Sequence, residues 1–178
     1  MDQRILISEA RIKARVAELA QDIQRDIPEG TIILLGVLKG AVHFLSDLSR
    51  EIGERAKLDF IQPSSYGAAS KSSGVVKLVK DHDFSIEGEH VLIVEDIVDT
   101  GLTLQYLKEL LETRNPASLR TVALLSKPAA RKVNVDADYV GFSIPNEFVV
   151  GYGLDFDERY RGLPHIAVIS GLSGHSAS

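Results

Sequence analysis

Hydrophobic and polar positions follow two alternating patterns along the chain. Ile12, Val16, Leu19 and Ile23 recur at helical spacing behind Ser8, which suits an N-cap, so a helix is predicted over residues 9–25 and ends at Pro28-Glu29-Gly30. Thr31 to Val37 is an unbroken β-branched and aliphatic run, the mark of a buried parallel strand. After Leu38-Lys39-Gly40 a second helix is carried by Ala41, Phe44, Leu45 and Leu48 and stopped by Gly53. Lys57 to Gln62, Val91 to Glu95 and Leu119 to Leu125 read as further strands. Between the last two, Leu104, Leu107, Leu110 and Leu111 mark a third helix, closed by Asn115-Pro116. Strand and helix alternate from residue 31 to residue 125. That order predicts an α/β fold, a doubly wound and mainly parallel sheet flanked by helices.

The remaining segments are less regular. Residues 63–74 are rich in Pro, Ser, Gly and Ala, and Val75 to Val79 reads as the strand returning from them, antiparallel to its predecessor. Composition leaves two readings of 63–74 open, an unstructured hairpin loop or a mobile cover over a site. Tyr139 to Ile144 is a short strand closed by Pro145-Asn146. Phe148 to Tyr152 is expected to continue it into the turn Gly151-Tyr152-Gly153, and Ile166 to Ile169 forms a last strand.

A chain of 178 residues, 44% hydrophobic and 25% charged, fits one ordinary globular domain with a sizeable core. The absence of Cys excludes disulfides and thiolate metal sites. The net charge of −5 disfavours a nucleic-acid partner. The longest apolar run, Ile32 to Leu38, is too short to span a membrane, and the N-terminal residues lack a signal-peptide pattern; no membrane association and a cytoplasmic location are expected. The five histidines are scattered without metal-ligand spacing.

Chemistry concentrates in residues 91–104, where an apolar strand runs into Glu95-Asp96, then Asp99, then Thr100-Gly101-Leu102-Thr103 at a helix start. Unpaired backbone N–H groups and the helix dipole there suit a phosphate. Thr100 and Thr103 add hydroxyl donors, and Gly101 allows close backbone approach. A capped helix with a turn glycine would look the same, so the turn alone is weak evidence. The two adjacent carboxylates sharpen it. They repel a bare anion but fit a ligand that also brings hydroxyls or a metal, as a sugar phosphate does.

This pattern closely resembles the phosphoribosyl-pyrophosphate signature of the phosphoribosyltransferases, and Glu-Asp-Ile-Val-Asp-Thr-Gly resembles the 6-oxopurine branch, the hypoxanthine-guanine phosphoribosyltransferases, in their compact bacterial form. The likeness extends from about Ile32 to Ser170 through Leu38-Lys39-Gly40, Ser65-Tyr66, Lys127, Phe148 to Tyr152, Leu154-Asp155 and Arg161. The resemblance implies a type I phosphoribosyltransferase core over about 31–142, a lid over 63–76 that includes Ser65 and Tyr66, and a hood over about 143–178 with the N-terminal segment.

It further implies that Glu95 and Asp96 hold the ribose hydroxyls, directly or through a metal, and that Thr100, Gly101, Leu102 and Thr103 hold the 5′-phosphate. Leu102 stands where relatives often carry a basic or polar residue. Asp99 is implied to lie near the purine N7 as general base, or as acid in reverse, a role a positioned carboxylate can fill. Lys127 is implied to bond the 6-oxo group. It can only donate, so it selects oxo over amino. Phe148 would stack on the base, and the Val149 main chain would meet its edge. Asp155 is implied at the purine and as a magnesium ligand with Glu95 and Asp96. Leu38, Lys39, Gly40 and Arg161 are implied to face pyrophosphate, and the Leu38–Lys39 peptide can be cis in the family. The expected partners are phosphoribosyl pyrophosphate (PRPP), hypoxanthine, guanine, IMP, GMP and pyrophosphate, with Mg2+ as cofactor, in a homodimer or homotetramer. Two alternatives are an RNA-binding regulator on the same fold and a transferase for orotate, uracil or adenine. The net charge and the Glu-Asp pair count against the first, Lys127 with Phe148-Val149 against the second.

Overall fold

The computed structural model describes residues 2–64 and 76–171. In chain order the elements are β1 (Asp2–Ile7), α1 (Glu9–Asp26), β2 (Ile32–Val37), α2 (Val42–Ile52), β3 (Ala56–Pro63), β4 (Leu78–Lys80), β5 (His90–Val98), α3 (Leu102–Glu112), β6 (Ser118–Ser126), β7 (Tyr139–Ser143), β8 (Val149–Val150) and β9 (Ile166–Ser170). Ser8 caps α1 as expected, its Oγ accepting from the Arg11 N–H.

The strands form two sheets. The larger runs β4-β3-β2-β5-β6-β7 and is parallel except for the β3–β4 pair. Its inner strands are buried on both faces. Leu92 and Val94 join the cluster with Ile12, Val16, Phe44, Leu45 and Leu48 of α1 and α2. Val91 and Ile93 join the opposite cluster with Leu104, Leu107 and Leu111 of α3. The doubly wound sheet is therefore as the alternation predicts. From β2 the chain proceeds to β3 on one side, whereas β5 lies on the other. The crevice where strand order reverses, at the carboxyl ends of β2 and β5, is the place such sheets present to ligands.

The second sheet has the order β1-β9-β8, all antiparallel. It corrects two expectations. Val149–Val150 does not extend β7; Pro145 and Asn146 break the chain, and Val149 pairs with Val168 of β9 in the other sheet. Asp2–Ile7 was not foreseen as a strand. Its residues are mostly exposed, so it shows no burial alternation, and only pairing with β9 orders it. The return strand is also shorter than expected. Among the described residues 76–79, Leu78 and Val79 are in β4, and the pairs Gln62↔Lys80 and Pro63↔Leu78 join it to β3 across an irregular register. The expected lid, with Ser65 and Tyr66, lies outside the described residues except at its margins. Among the described residues, no helix is long and apolar enough to cross a membrane.

Candidate active site

The strand β5 carries the acids further than expected. Its ladder with β6 continues through Glu95↔Ala123, Ile97↔Leu125 and Val98↔Ser126, so Glu95 and Asp96 are strand residues and the loop begins at Asp99. Pairing holds the two carboxylates on rigid backbone. Glu95 is only 4% exposed. Burial drives its pKa well above the ordinary carboxylate value, and the charges of Asp96 and Asp99 push the same way. Burial also raises Asp96, to about 6, although the Ile97 N–H and the Arg161 charge oppose it.

The loop beyond β5 is shaped for close approach. Asp99 Oδ1 accepts from the Thr100 N–H at 2.6 Å. Gly101 is the N-cap of α3 with φ +86°, a left-handed conformation that suits glycine, and Thr100 Oγ1 accepts from the Leu102 N–H at 3.3 Å. Gly101, the N-cap, offers α3 no side chain, and no acid lies in the first turn. That leaves an N-terminal set of donors with a favourable dipole for an anion.

Other segments converge on this crevice. The Leu38–Lys39 peptide is cis, and Gly40 follows it. A Cβ on Gly40 would fall 1.8 Å from Asp96 Oδ2, and one on Gly153 would fall 2.1 Å from the Gly40 carbonyl oxygen. The β2–α2 loop, Asp96 and the Gly151–Leu154 turn thus touch at positions that admit no side chain. Arg161 Nη1 donates to the Gly153 carbonyl at 2.6 Å, and Nη2 lies 3.2 Å from Glu158 Oε1 and 3.5 Å from Asp155 Oδ1. Its Nε–H is buried and has no hydrogen-bond partner among the described residues. Lys39 Nζ donates to Glu158 Oε2 at 3.1 Å. The Lys39 hydrogen bond, then the Arg161 charge, hold the Glu158 carboxyl below its ordinary range.

On the other side, Lys127 follows β6 and is 4% exposed. Burial lowers its pKa, opposed by the charges of Asp99 and Glu147, which face it. Phe148 is half-buried and meets the Phe156 ring edge-on at 5.7 Å. Val149 is buried in β8. The motif residues therefore gather at one end of the large sheet, with Phe148, Val149, Asp155 and Arg161 brought in by the second sheet and its loops. Among the described residues, no three Asp, Glu or His side chains converge as a ready-made metal cage. Glu95, Asp96 and Asp155 therefore do not form one by themselves. Sequence reasoning missed Glu158, the partner of both Lys39 and Arg161. Its position in a charged run is the one signal that pointed near it.

A model of the phosphoribosyl transferase domain matches residues 5–157. The hypoxanthine-guanine phosphoribosyltransferase of Bacillus subtilis (strain 168) is 48% identical over 167 residues, covering 94% of this chain and 93% of that protein. The enzyme of the same name from Mycobacterium avium is 52% identical over 171 residues, covering 93% and 84%. A hypoxanthine-guanine phosphoribosyltransferase crystal structure from Bacillus anthracis superposes with a TM-score of 0.88 at 48% identity, covering 93% of this chain and 98% of the other. The chain belongs to the phosphoribosyltransferase family, in its hypoxanthine-guanine phosphoribosyltransferase branch.

Proposed function

We propose that this chain transfers a phosphoribosyl group from PRPP to N9 of hypoxanthine or guanine, giving IMP or GMP and pyrophosphate, as a step of purine salvage. The observation that carries the reading is that buried Lys127, whose N–H donates to the Val98 carbonyl, and Asp99 follow the carboxyl ends of adjacent strands, beside a helix N-terminus with glycine as its N-cap. In this reading the 5′-phosphate sits on residues 100–103 and the ribose hydroxyls donate to Glu95 and Asp96. The purine lies on Phe148, with the Val149 main chain and Asp155 at its edge. Lys127 donates to O6, and rejects a 6-amino purine because two donors would then face each other.

The C1–O bond to pyrophosphate breaks as the N9–C1 bond forms, and Asp99, placed beside N7, takes the proton that N7 gives up. Pyrophosphate departs toward Lys39, the Gly40 backbone and Arg161, whose unpartnered buried Nε–H is a donor in search of an anion. Charge is stabilised by fixed groups rather than by a covalent intermediate.

Glu95, Asp96 and Asp155 are the residues that would hold magnesium. The donors fit, because all are carboxylate oxygens, and the desolvated Glu95–Asp96–Asp99 group has an electrostatic deficit that a cation relieves. Magnesium takes only one or two protein carboxylates when substrate phosphates supply the rest, which agrees with the lack of a three-residue cage. When bound it offsets the negative charge of the leaving group.

The test is an assay with PRPP, magnesium and a panel of bases. Turnover of hypoxanthine and guanine but not of adenine, orotate or uracil is expected. Turnover of any of the latter three, with none of hypoxanthine or guanine, removes the reading.

A further inference from the structure

Arg131 belongs to no motif that the sequence displays, yet it makes the densest set of contacts near the crevice. Its Nη1 donates to the carbonyls of Val98 at 2.9 Å and Asp99 at 2.8 Å, and lies 3.5 Å from that of Lys127. Its Nε donates to the Val135 carbonyl at 2.9 Å. Nη2 donates to Ser126 Oγ and to Asp136 Oδ1, both at 2.9 Å. The side chain is 15% exposed, whereas that of Asp136 is 78% exposed.

These contacts join two strand ends that have run out of ladder. Beyond Val98↔Ser126 the β5–β6 register stops, and the loops that carry Asp99 and Lys127 begin. Backbone bonds from Lys127 N–H to the Val98 carbonyl and from Lys132 N–H to the Thr100 carbonyl continue the connection. The turn also packs under the phosphate loop. A Cβ on Gly101 would come 2.6 Å from Val135 Cγ1 and 3.2 Å from Arg131 Cδ.

A purine is rigid, so the groups that meet its 6-oxo oxygen and its N7 need a fixed separation. They come from different strands. A guanidinium can serve carbonyls on both strand ends at once because its N–H groups form a planar fork. We propose that Arg131 is a positioning residue that locks Asp99 and Lys127 in register for one purine. The proposal rests on the roles given above to those two residues. Arg131 acts through their backbone, since the acceptors around it are groups of its own chain.

The test is a double-mutant cycle of Arg131→Lys with Asp99→Asn. Lysine keeps the charge and most of the stem, but its single nitrogen cannot span both strand ends and Val135. Arg131→Lys is expected to melt cooperatively and to lose about 10- to 100-fold in kcat/KM for hypoxanthine. Against Asp99→Asn the same change costs at least several-fold less, because displacing a base that no longer works matters little and only the Lys127 contribution remains. Equal losses in both backgrounds mark a merely structural arginine and overturn the proposal, as does unchanged kcat/KM in Arg131→Lys. Should Arg131→Lys fail to fold, Asp136→Ala decides, since that exposed residue can be trimmed safely. A loss of about two- to fivefold that vanishes in the Asp99→Asn background supports the proposal, and no loss overturns it. Asp99→Asn alone reports on the base assignment, so failure of that reading is seen separately.

Discussion

Two acidic groups lie on either side of Gly40. On β5, Glu95 and Asp96 are desolvated, and both are pushed toward their protonated forms by burial. In the 155–161 loop, Asp155 and Glu158 already face Arg161 and Lys39, and Glu158 is held ionised by them. Among the described residues the first group makes no ion pair, although the Arg161 charge acts on Asp96, and it gains from a ligand that brings hydroxyl donors or a cation. The second holds its cations in pairs of its own, which an incoming pyrophosphate must compete for. A buried acid is worth keeping only if something binds it, because its desolvation is otherwise uncompensated. The exposed ion pairs cost little to break.

The contrast can be broken most severely at Asp99, the proposed general base. Asp99→Asn is expected to lower kcat by about 10²- to 10⁴-fold while the Kd for PRPP, measured by calorimetry, stays nearly unchanged. Retained turnover takes Asp99 out of the mechanism. Gly40→Ala forces Asp96 from its place, since the added Cβ would fall 1.8 Å from its Oδ2. The expected result is a fall of about 10- to 100-fold in kcat/KM for PRPP. A near-normal value would mean that the contact is not needed.

Asp96 sharpens the desolvated side through stability. Its folded pKa is raised to about 6 from the ordinary 3.8, so the folded chain holds this proton more tightly than the unfolded chain. The group therefore favours the fold below about pH 4 and penalises it increasingly as pH rises through about 6. Because Asp96 keeps partial solvent contact, the penalty is set at about 1 kcal/mol. Asp96→Asn should raise the Tm of the ligand-free protein at pH 7.5 by a few degrees, an advantage that disappears toward pH 4; an equal advantage at both pH values rejects the assignment. The smallest effect is expected on the paired side. Glu158→Gln releases Lys39 and Arg161, so PRPP affinity should rise by about two- to fivefold at low salt, with the gain shrinking as salt increases. A weakened affinity would show that Glu158 helps bind.

Much of this was legible in the chain. The runs Ile32 to Val37 and Val91 to Val94 are buried on both faces, so a continuous apolar stretch was enough to mark parallel strands. The strand-to-helix passage at 95–103 was legible too, because an apolar run gives way there to acids, a glycine and a helical leucine period. The second sheet was poorly legible. β1 is exposed and β8 is two residues long, and each is ordered by β9, far away in sequence. Arg131 and Glu158 were hidden for a related reason. The partners of Arg131 are mainly backbone carbonyls, which every residue has, and Lys39, which bonds Glu158, lies on another segment.

Local order and chemistry thus follow from the chain alone: which segments are strands and helices, where an anion can sit, and which residue types surround it. Hydrophobic period, caps and glycine conformations are near-neighbour effects, so they can be read in line. Only the tertiary structure decides how far each acid is desolvated, that Gly40, Asp96 and Gly153 meet without side chains between them, and that Arg131 spans two strand ends. Those are consequences of packing between segments remote in sequence. Burial and contact distance, which set charge state and geometry, exist only after the segments have come together.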